Sequence, residues 1–183
     1  VPPRKEIRLK SIFNLIGPLT NPAGASHLLL GVYREDLVGV MAGVLKRLGC
    51  PGAMVVRGDD GCDEITITGP TKVARLRRGR VTVERIEPRD FGFLEAPLEA
   101  VQGGSADVNA AITRRVLEGR PGPCRDMVLL NAAAALTAAE AADNMTHGVR
   151  MAAQAVDSGR ALARLDQLID FTRRAAEGVA VGA

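Results

Sequence analysis

A chain of 183 residues with 46% hydrophobic side chains is long enough for one domain with a sizeable core and too short for two full ones. A formal charge of +3 and a pI near 9.0 suit a small anionic ligand but fall well short of a nucleic-acid tail, and 3% aromatic residues leave little with which to stack bases. Three scattered cysteines without a C-x-x-C pair suit a reducing cytosol, and with only His27 and His147 beside them they argue against a zinc site.

The chain starts at Val1 with no initiator methionine and reads as the C-terminal part of a longer polypeptide. Residues 3–9 have the pattern of a short helix, and residues 11–17 of a second. Ser11 can cap the second helix, and Ile12, Leu15 and Ile16 share one apolar face. Gly17-Pro18 stops it, and Asn21-Pro22 repeats the restriction that proline places on the residue before it. Residues 17–22 therefore form a rigid, polar-edged elbow.

Residues 27–33 are an apolar run of strand length. Leu37, Val40, Met41, Val44, Leu45 and Leu48 then recur at helical spacing and predict a helix over 35–48, closed by Gly49. Residues 53–57 form the next buried strand. Strand, helix and strand make a βαβ unit with parallel strands, which sets an α/β architecture. The loop Gly58-Asp-Asp-Gly-Cys-Asp-Glu64 follows at a strand's carboxyl end, where ligands sit in open α/β sheets.

Shorter strands are predicted at 66–69, 72–77 and 81–86, the last two joined as a hairpin at Arg78-Gly79. Val73, Leu76, Val81, Val83 and Ile86 alternate with charges and suggest one exposed face. After a loop at 88–97, Ser105 caps a helix running to about residue 117, with Asp107 in its first turn and Gly119 ending it. The alanine-rich stretch 125–141 predicts a helix that neighbours approach closely, and Asn131 within it needs a buried partner or a site to face. The apolar part of that stretch, interrupted by Asn131, Thr137 and Glu140, is too short to span a bilayer. Two more helices are predicted at 145–156 and 160–174, the latter with Leu162, Leu165, Leu168 and Ile169 inward, and residues 177–183 should fray.

Asp59, Asp60, Asp63 and Glu64 place four carboxylates within six residues of one loop. Such a turn is either a solvated acidic cap or a set of hard oxygen ligands suited to Mg2+ with substrate phosphates. No Ser-His-Asp or Cys-His set accompanies them.

The run Ile-Phe-Asn-Leu-Ile-Gly-Pro-Leu-Thr-Asn-Pro at 12–22 closely resembles the signature of the anthranilate phosphoribosyltransferase family. The likeness continues in order through Gly31-Val-Tyr33, Gly58-Asp-Asp-Gly-Cys-Asp-Glu-Ile65, Thr68-Gly-Pro-Thr71 and Asp126-Met-Val-Leu-Leu-Asn-Ala-Ala-Ala-Ala-Leu136. The resemblance implies transfer of a phosphoribosyl group from phosphoribosyl diphosphate to anthranilate in tryptophan biosynthesis. It implies a three-layer α/β/α fold with a mixed sheet, of the nucleoside phosphorylase and phosphoribosyltransferase kind. Residues 1–22 would belong to a helical, dimer-forming domain and residues 23–183 to the α/β domain of a cytoplasmic homodimer.

On the same likeness, Asp63 and Glu64 match the family's Mg2+-binding pair, and Gly17 and Pro18 match the turn beside the anthranilate site. Arg4 falls where the family carries an arginine for anthranilate's carboxylate, and Lys10 is read as a surface residue. The family's glycine-rich phosphoribosyl diphosphate loop has no counterpart here, Gly103-Gly104 being only a turn, so the segment alone is expected to be inactive. Two other readings stand beside this one: a related pyrimidine nucleoside phosphorylase, which the elbow disfavours, and a non-enzymatic nucleic-acid-binding relative. The basic cluster Arg4, Lys5, Arg8 and Lys10 carries the last.

These assignments set Arg4 against Lys10. In the full-length protein, Arg4→Ala should weaken anthranilate binding by roughly 1.5–3 kcal/mol, the scale of a hydrogen bond to a charged group. Arg4→Lys should restore only part of it, because a point charge replaces a two-donor fork. Lys10→Ala should shift binding by less than about 0.5 kcal/mol. The KM for anthranilate in the three variants decides, and a larger loss from Lys10→Ala would mean that the clamp is misplaced.

Overall fold

A computed structural model of the chain describes residues 17–20 and 24–180. The apolar run after Ser26 forms strand β1 (His27–Gly31), and the helical periodicity after Asp36 forms α1 (Leu37–Arg47). Gly49, at φ +78°, turns the chain out of that helix, its N–H donating to the Lys46 carbonyl at 3.1 Å. Strand β2 (Gly52–Gly58) then lies parallel to β1, with His27 opposite Gly52 and Gly31 opposite Val56. The predicted βαβ unit is present.

Beyond β2 the sheet turns antiparallel. Strand β3 (Thr71–Arg77) runs against β2 and β4 (Arg80–Ile86) against β3, giving the mixed order β1-β2-β3-β4. The hairpin turns at Arg78 and Gly79 as predicted, both with positive φ, 49° and 73°, the left-handed geometry whose twist suits a two-residue hairpin loop.

Alternation along β2 divides the core. Ala53 and Val55 join Leu30, Val38, Met41, Ala42, Leu45, Ala74 and Leu76 beneath α1. Met54 and Val56 face the other way, with Val73 and Ile86, onto Leu130, Ala133, Ala134 and Ala138 of α3 (Pro123–Ala138). Each large side chain so buried contributes about 1.5–3 kcal/mol, and the sheet is covered on both faces. This is the expected three-layer α/β/α arrangement. Outside it lie α2 (Ala106–Leu117), α4 (Met145–Asp157) and α5 (Arg160–Ala180). Leu129, Ala152 and Val156 form a smaller core between α3 and α4. Ser105 caps α2 as predicted, accepting from the Val108 N–H at 3.4 Å.

Several expectations need correction. No strand forms at 66–69, because hydroxyl groups take the place of a ladder: Thr66 N–H donates to Thr71 Oγ1 at 3.1 Å, and Thr68 N–H to Thr66 Oγ1 at 3.0 Å. Val73, Leu76, Val81, Val83 and Ile86 do not mark a single exposed face. Val73 is on the α3 side, Leu76 is on the α1 side, and only the edge strand β4 is open, with Val83 55% exposed. Helix α3 starts at Pro123, where the missing N–H costs nothing in a first turn. Leu168, expected inward on α5, is 57% exposed, because only part of that helix is backed by α4 and α2. The same helix continues through Ala180 where fraying was expected from 177, and residues 181–183 lie outside the described ones. The helix predicted at 3–9 and all but the last residue of the one predicted at 11–17 fall on residues 1–16, also outside them, while Gly17–Thr20 is a short 3-10 turn whose Leu19 packs on the α1 side of the core.

Two helical glycines separate backbone propensity from packing. A Cβ at Gly43 in α1 meets nothing within 4 Å, whereas one at Gly148 in α4 would lie 2.8 Å from the Ala133 carbonyl oxygen and 2.9 Å from its Cα. Gly43→Ala should therefore stabilise the chain by about 0.5–1 kcal/mol, and Gly148→Ala should destabilise it by about 1–3 kcal/mol through overpacking. Urea midpoints of the two variants give the test; equal shifts of the same sign would contradict the packing described.

Candidate functional site

The segment between β2 and β3 is held in place from several sides. Gly58 N–H donates to the Cys62 carbonyl at 2.9 Å, and Asp59 N–H to the Pro70 carbonyl at 3.0 Å, closing its base. Ile65 and Ile67 are buried, 2% and 0% exposed, in the α3-side core. Asn131, on the facing side of α3, accepts from the Ile65 N–H at 2.9 Å and donates to the Ile65 carbonyl at 2.8 Å. Its amide also donates to the Met127 carbonyl at 2.9 Å, so this half-buried side chain has the partners that the sequence required of it. At Gly31, the end of β1, a Cβ would overlap the Asp63 carbonyl oxygen at 1.6 Å. Only glycine allows the loop to approach so closely.

The four carboxylates divide on this frame. Both oxygens of Asp59 accept from Arg85 in an exposed ion chain, in which Arg85 also reaches Glu35 and Glu35 in turn meets Lys72 at 3.1 Å. Asp60 faces back into the loop, accepting from Thr66 Oγ1 at 2.6 Å, Thr68 Oγ1 at 2.7 Å and the Cys62 N–H at 2.9 Å. Burial opposes its ionisation, but the hydrogen bonds from Thr66, Cys62 and Thr68 and the nearby Arg57 prevail and hold its carboxyl below the ordinary 3.8. Asp63 and Glu64 are exposed, and neither side chain makes a hydrogen bond or ion pair among the described residues.

Two hard carboxylates, unspent and side by side at the carboxyl ends of β1 and β2, fit Mg2+, which takes one or two protein oxygens and keeps the rest of its shell for water and phosphate. Among the described residues no three His, Cys, Asp or Glu groups converge, so these residues form no closed metal cage. Beside Glu64 opens an apolar cleft of about 360 Å³ between α2 and α3, lined by Cys62, Ile112, Val116, Cys124 and Met127. Burial pushes the Cys62 thiol up, and Asp60, Glu64 and Asp63 add to that, which keeps it protonated.

Of the other predicted site residues, Gly17 is exposed in the 3-10 turn with Pro18 after it, and Arg4 lies outside the described residues. The sequence groups Asp60 with the other loop carboxylates and gives it no partner of its own. The signal was present in Thr66 and Thr68, whose hydroxyls at alternate positions had no ladder to serve. The cleft beside Glu64 had no local signal, since its lining comes from separate elements.

Residues 1–162 match the family described as glycosyl transferase family, a/b domain. An anthranilate phosphoribosyltransferase of Geobacter sulfurreducens is 55% identical over 170 residues, covering 93% of this chain and 49% of its own length. One from Nitrosomonas europaea is 47% identical over 173 residues, covering 94% and 51%. Among solved structures, that of anthranilate phosphoribosyltransferase from Thermus thermophilus superposes with a TM-score of 0.86 at 38% identity, over 94% of this chain and 51% of that one. The Saccharomyces cerevisiae enzyme in complex with PRPP and Mg gives 0.80 at 29% identity, over 91% and 48%. The chain spans about half the length of the curated relatives it matches.

The depressed Asp60 carboxyl makes stability depend on pH with a fixed sign. A group whose folded value lies below its unfolded one stabilises fully above the unfolded value, and that contribution is lost as pH falls through the folded value. At pH 7, wild type should exceed Asp60→Ala by about 1 kcal/mol, a modest figure because solvent screens so exposed a group. The margin should hold down to the ordinary carboxylate range and shrink below it. Urea unfolding at a series of pH values checks this, and a margin that widens toward acid would be the wrong sign.

Proposed function

The chain belongs to the glycosyl transferase family, whose a/b domain it carries, and from that premise we propose that it forms part of an anthranilate phosphoribosyltransferase. The reaction is transfer of a phosphoribosyl group from phosphoribosyl diphosphate to anthranilate. The observation that carries the reading is the pairing of relatives of that name, about half identical to this chain, with two unspent carboxylates on a loop fixed by Asn131.

In this reading Asp63 and Glu64 hold Mg2+, whose chemistry is to neutralise charge on a departing diphosphate. The chain's own part is positional. Asn131, Asp60 and the Gly31 contact fix the backbone under the two carboxylates before substrate arrives, so little reorganisation remains at the moment of reaction. Anthranilate's aromatic amine is uncharged at neutral pH and needs no strong base, so orientation supplies the acceleration without a protein nucleophile. Arg4, Gly17 and Pro18 form one wall of the acceptor site, with the Arg4 fork on the carboxylate. Residues 1–22 lie in a helical domain through which two copies associate, residues 23–183 in the α/β domain, and the protein works in the cytoplasm. No helix among the described residues is long and apolar enough to cross a membrane.

In the full-length protein, Asp63→Asn with Glu64→Gln should lower kcat by about a hundredfold or more, the scale of lost electrostatic stabilisation. The melting temperature should stay unchanged, because neither side chain supports the loop. Turnover followed across a Mg2+ titration is the measurement. Superimposable wild-type and variant curves would mean that the pair is merely solvated.

A further inference from the structure

At the opposite end of the sheet from the carboxylate loop, the β3–β4 hairpin gathers four arginines. Arg75 and Arg77 are two apart on β3 and so share a face, and the register sets Thr82 opposite Arg75 and Arg80 opposite Arg77. Arg78 occupies the turn itself. Together these five residues line a shallow groove of about 440 Å³. Because Arg77 pairs with Gly52 at the start of β2, and the carboxylate loop follows Gly58 at its end, the two places are about 20 Å apart along the strand.

The charges in this groove are nearly unanswered. Arg77 Nε donates to Glu140 at 3.3 Å, which leaves the outer nitrogens of its guanidinium unspent. The side chains of Arg75, Arg78 and Arg80 make no hydrogen bond or ion pair among the described residues. Glu84 stands one step farther along the same face, opposite Val73. Four guanidiniums at strand spacing with one engaged carboxylate repel one another until an anion enters.

Local geometry adds an independent argument. Arg78, at φ 49°, and Glu140, at φ 55°, are the described non-glycine residues with positive φ. Each takes a place that backbone preference gives to asparagine or glycine: the first position of a hairpin turn, and the residue after a helix ends. Both side chains belong to this patch. Two departures from local preference thus border one charged groove, Arg78 as part of its lining and Glu140 through Arg77.

We propose that the groove formed by Arg75, Arg77, Arg78, Arg80 and Thr82 binds a linear phosphate chain, a diphosphate or triphosphate, at a site separate from the metal loop. Three to four guanidiniums match an anion of three to four negative charges better than a single phosphate does, and the guanidinium fork meets phosphate oxygens in pairs. Single-stranded nucleic acid fits less well, since the lining holds no aromatic side chain on which a base could stack. The inference goes beyond the proposed transferase reading and does not depend on it.

The test uses the full-length protein without Mg2+ and titrates inorganic tripolyphosphate, diphosphate, monophosphate and ATP by calorimetry. Tripolyphosphate should bind more tightly than monophosphate, with ATP no weaker than tripolyphosphate, and the Asp63→Asn, Glu64→Gln protein should bind as wild type does. Arg75→Gln with Arg80→Gln should weaken binding by about tenfold or more. Arg78→Asn guards against a folding artefact: asparagine suits the turn, so its melting temperature should hold or rise while tripolyphosphate binds more weakly. The proposal is overturned if the arginine variants bind tripolyphosphate like wild type, if the Asp63, Glu64 variant loses the binding, if monophosphate binds equally well, or if a single-stranded oligonucleotide of equal charge binds more tightly.

Discussion

Asn131 exchanges two hydrogen bonds with the backbone of Ile65 across 66 residues of chain, and the geometry of the candidate site depends on that exchange. Ile65 is buried between the sheet and α3, where its N–H and carbonyl have no strand partner. Left unpaired, each would cost about 1–3 kcal/mol. One primary amide, able to accept and donate at once, satisfies both and fixes the loop to the helix in a single register. Buried Ile67 anchors the same segment, and its carbonyl accepts from Ala96 N–H at 3.1 Å.

With the loop fixed, its acidic residues have separate tasks. Asp60 replaces the missing ladder by collecting two threonine hydroxyls and a backbone N–H, and its charge is favoured because every one of those groups donates. Asp59 is drawn outward to Arg85 and the edge strand. That leaves Asp63 and Glu64 on a base that cannot shift, because the Asp63 carbonyl already rests against Gly31.

The mixed sheet separates charge along its length. Strand β2, buried over most of its length, carries the acidic loop at its carboxyl end, while the turn from β3 to β4 brings the arginines to the level of its amino end. A formal charge of +3 over the whole chain conceals this, since the arginine groove and the acidic loop lie about 20 Å apart along β2, well beyond a Debye length of about 8 Å. Each end therefore acts on its own surroundings. The apolar layers between them, Met54 and Val56 toward α3 and Ala53 and Val55 toward α1, transmit shape but no charge.

Local rules in the sequence determined much of this protein. Apolar periodicity located α1 and the βαβ unit, Gly49, Ser105 and Gly119 marked helix ends, Arg78-Gly79 marked the hairpin, and Asn131 announced that it needed partners. Each depends on residues within a turn or two of one another, so one strand of text suffices to read it. Tertiary structure decided the rest, because it turned on which distant groups meet. The segment 66–69 has strand composition, yet Asp60 and Thr71 satisfy its polar groups before a ladder can. Leu168 has helical spacing for burial, but the folded chain leaves it 57% exposed. The four loop carboxylates are equivalent as text, and only Arg85, Thr66 and Thr68, brought in by folding, show which two are already spent.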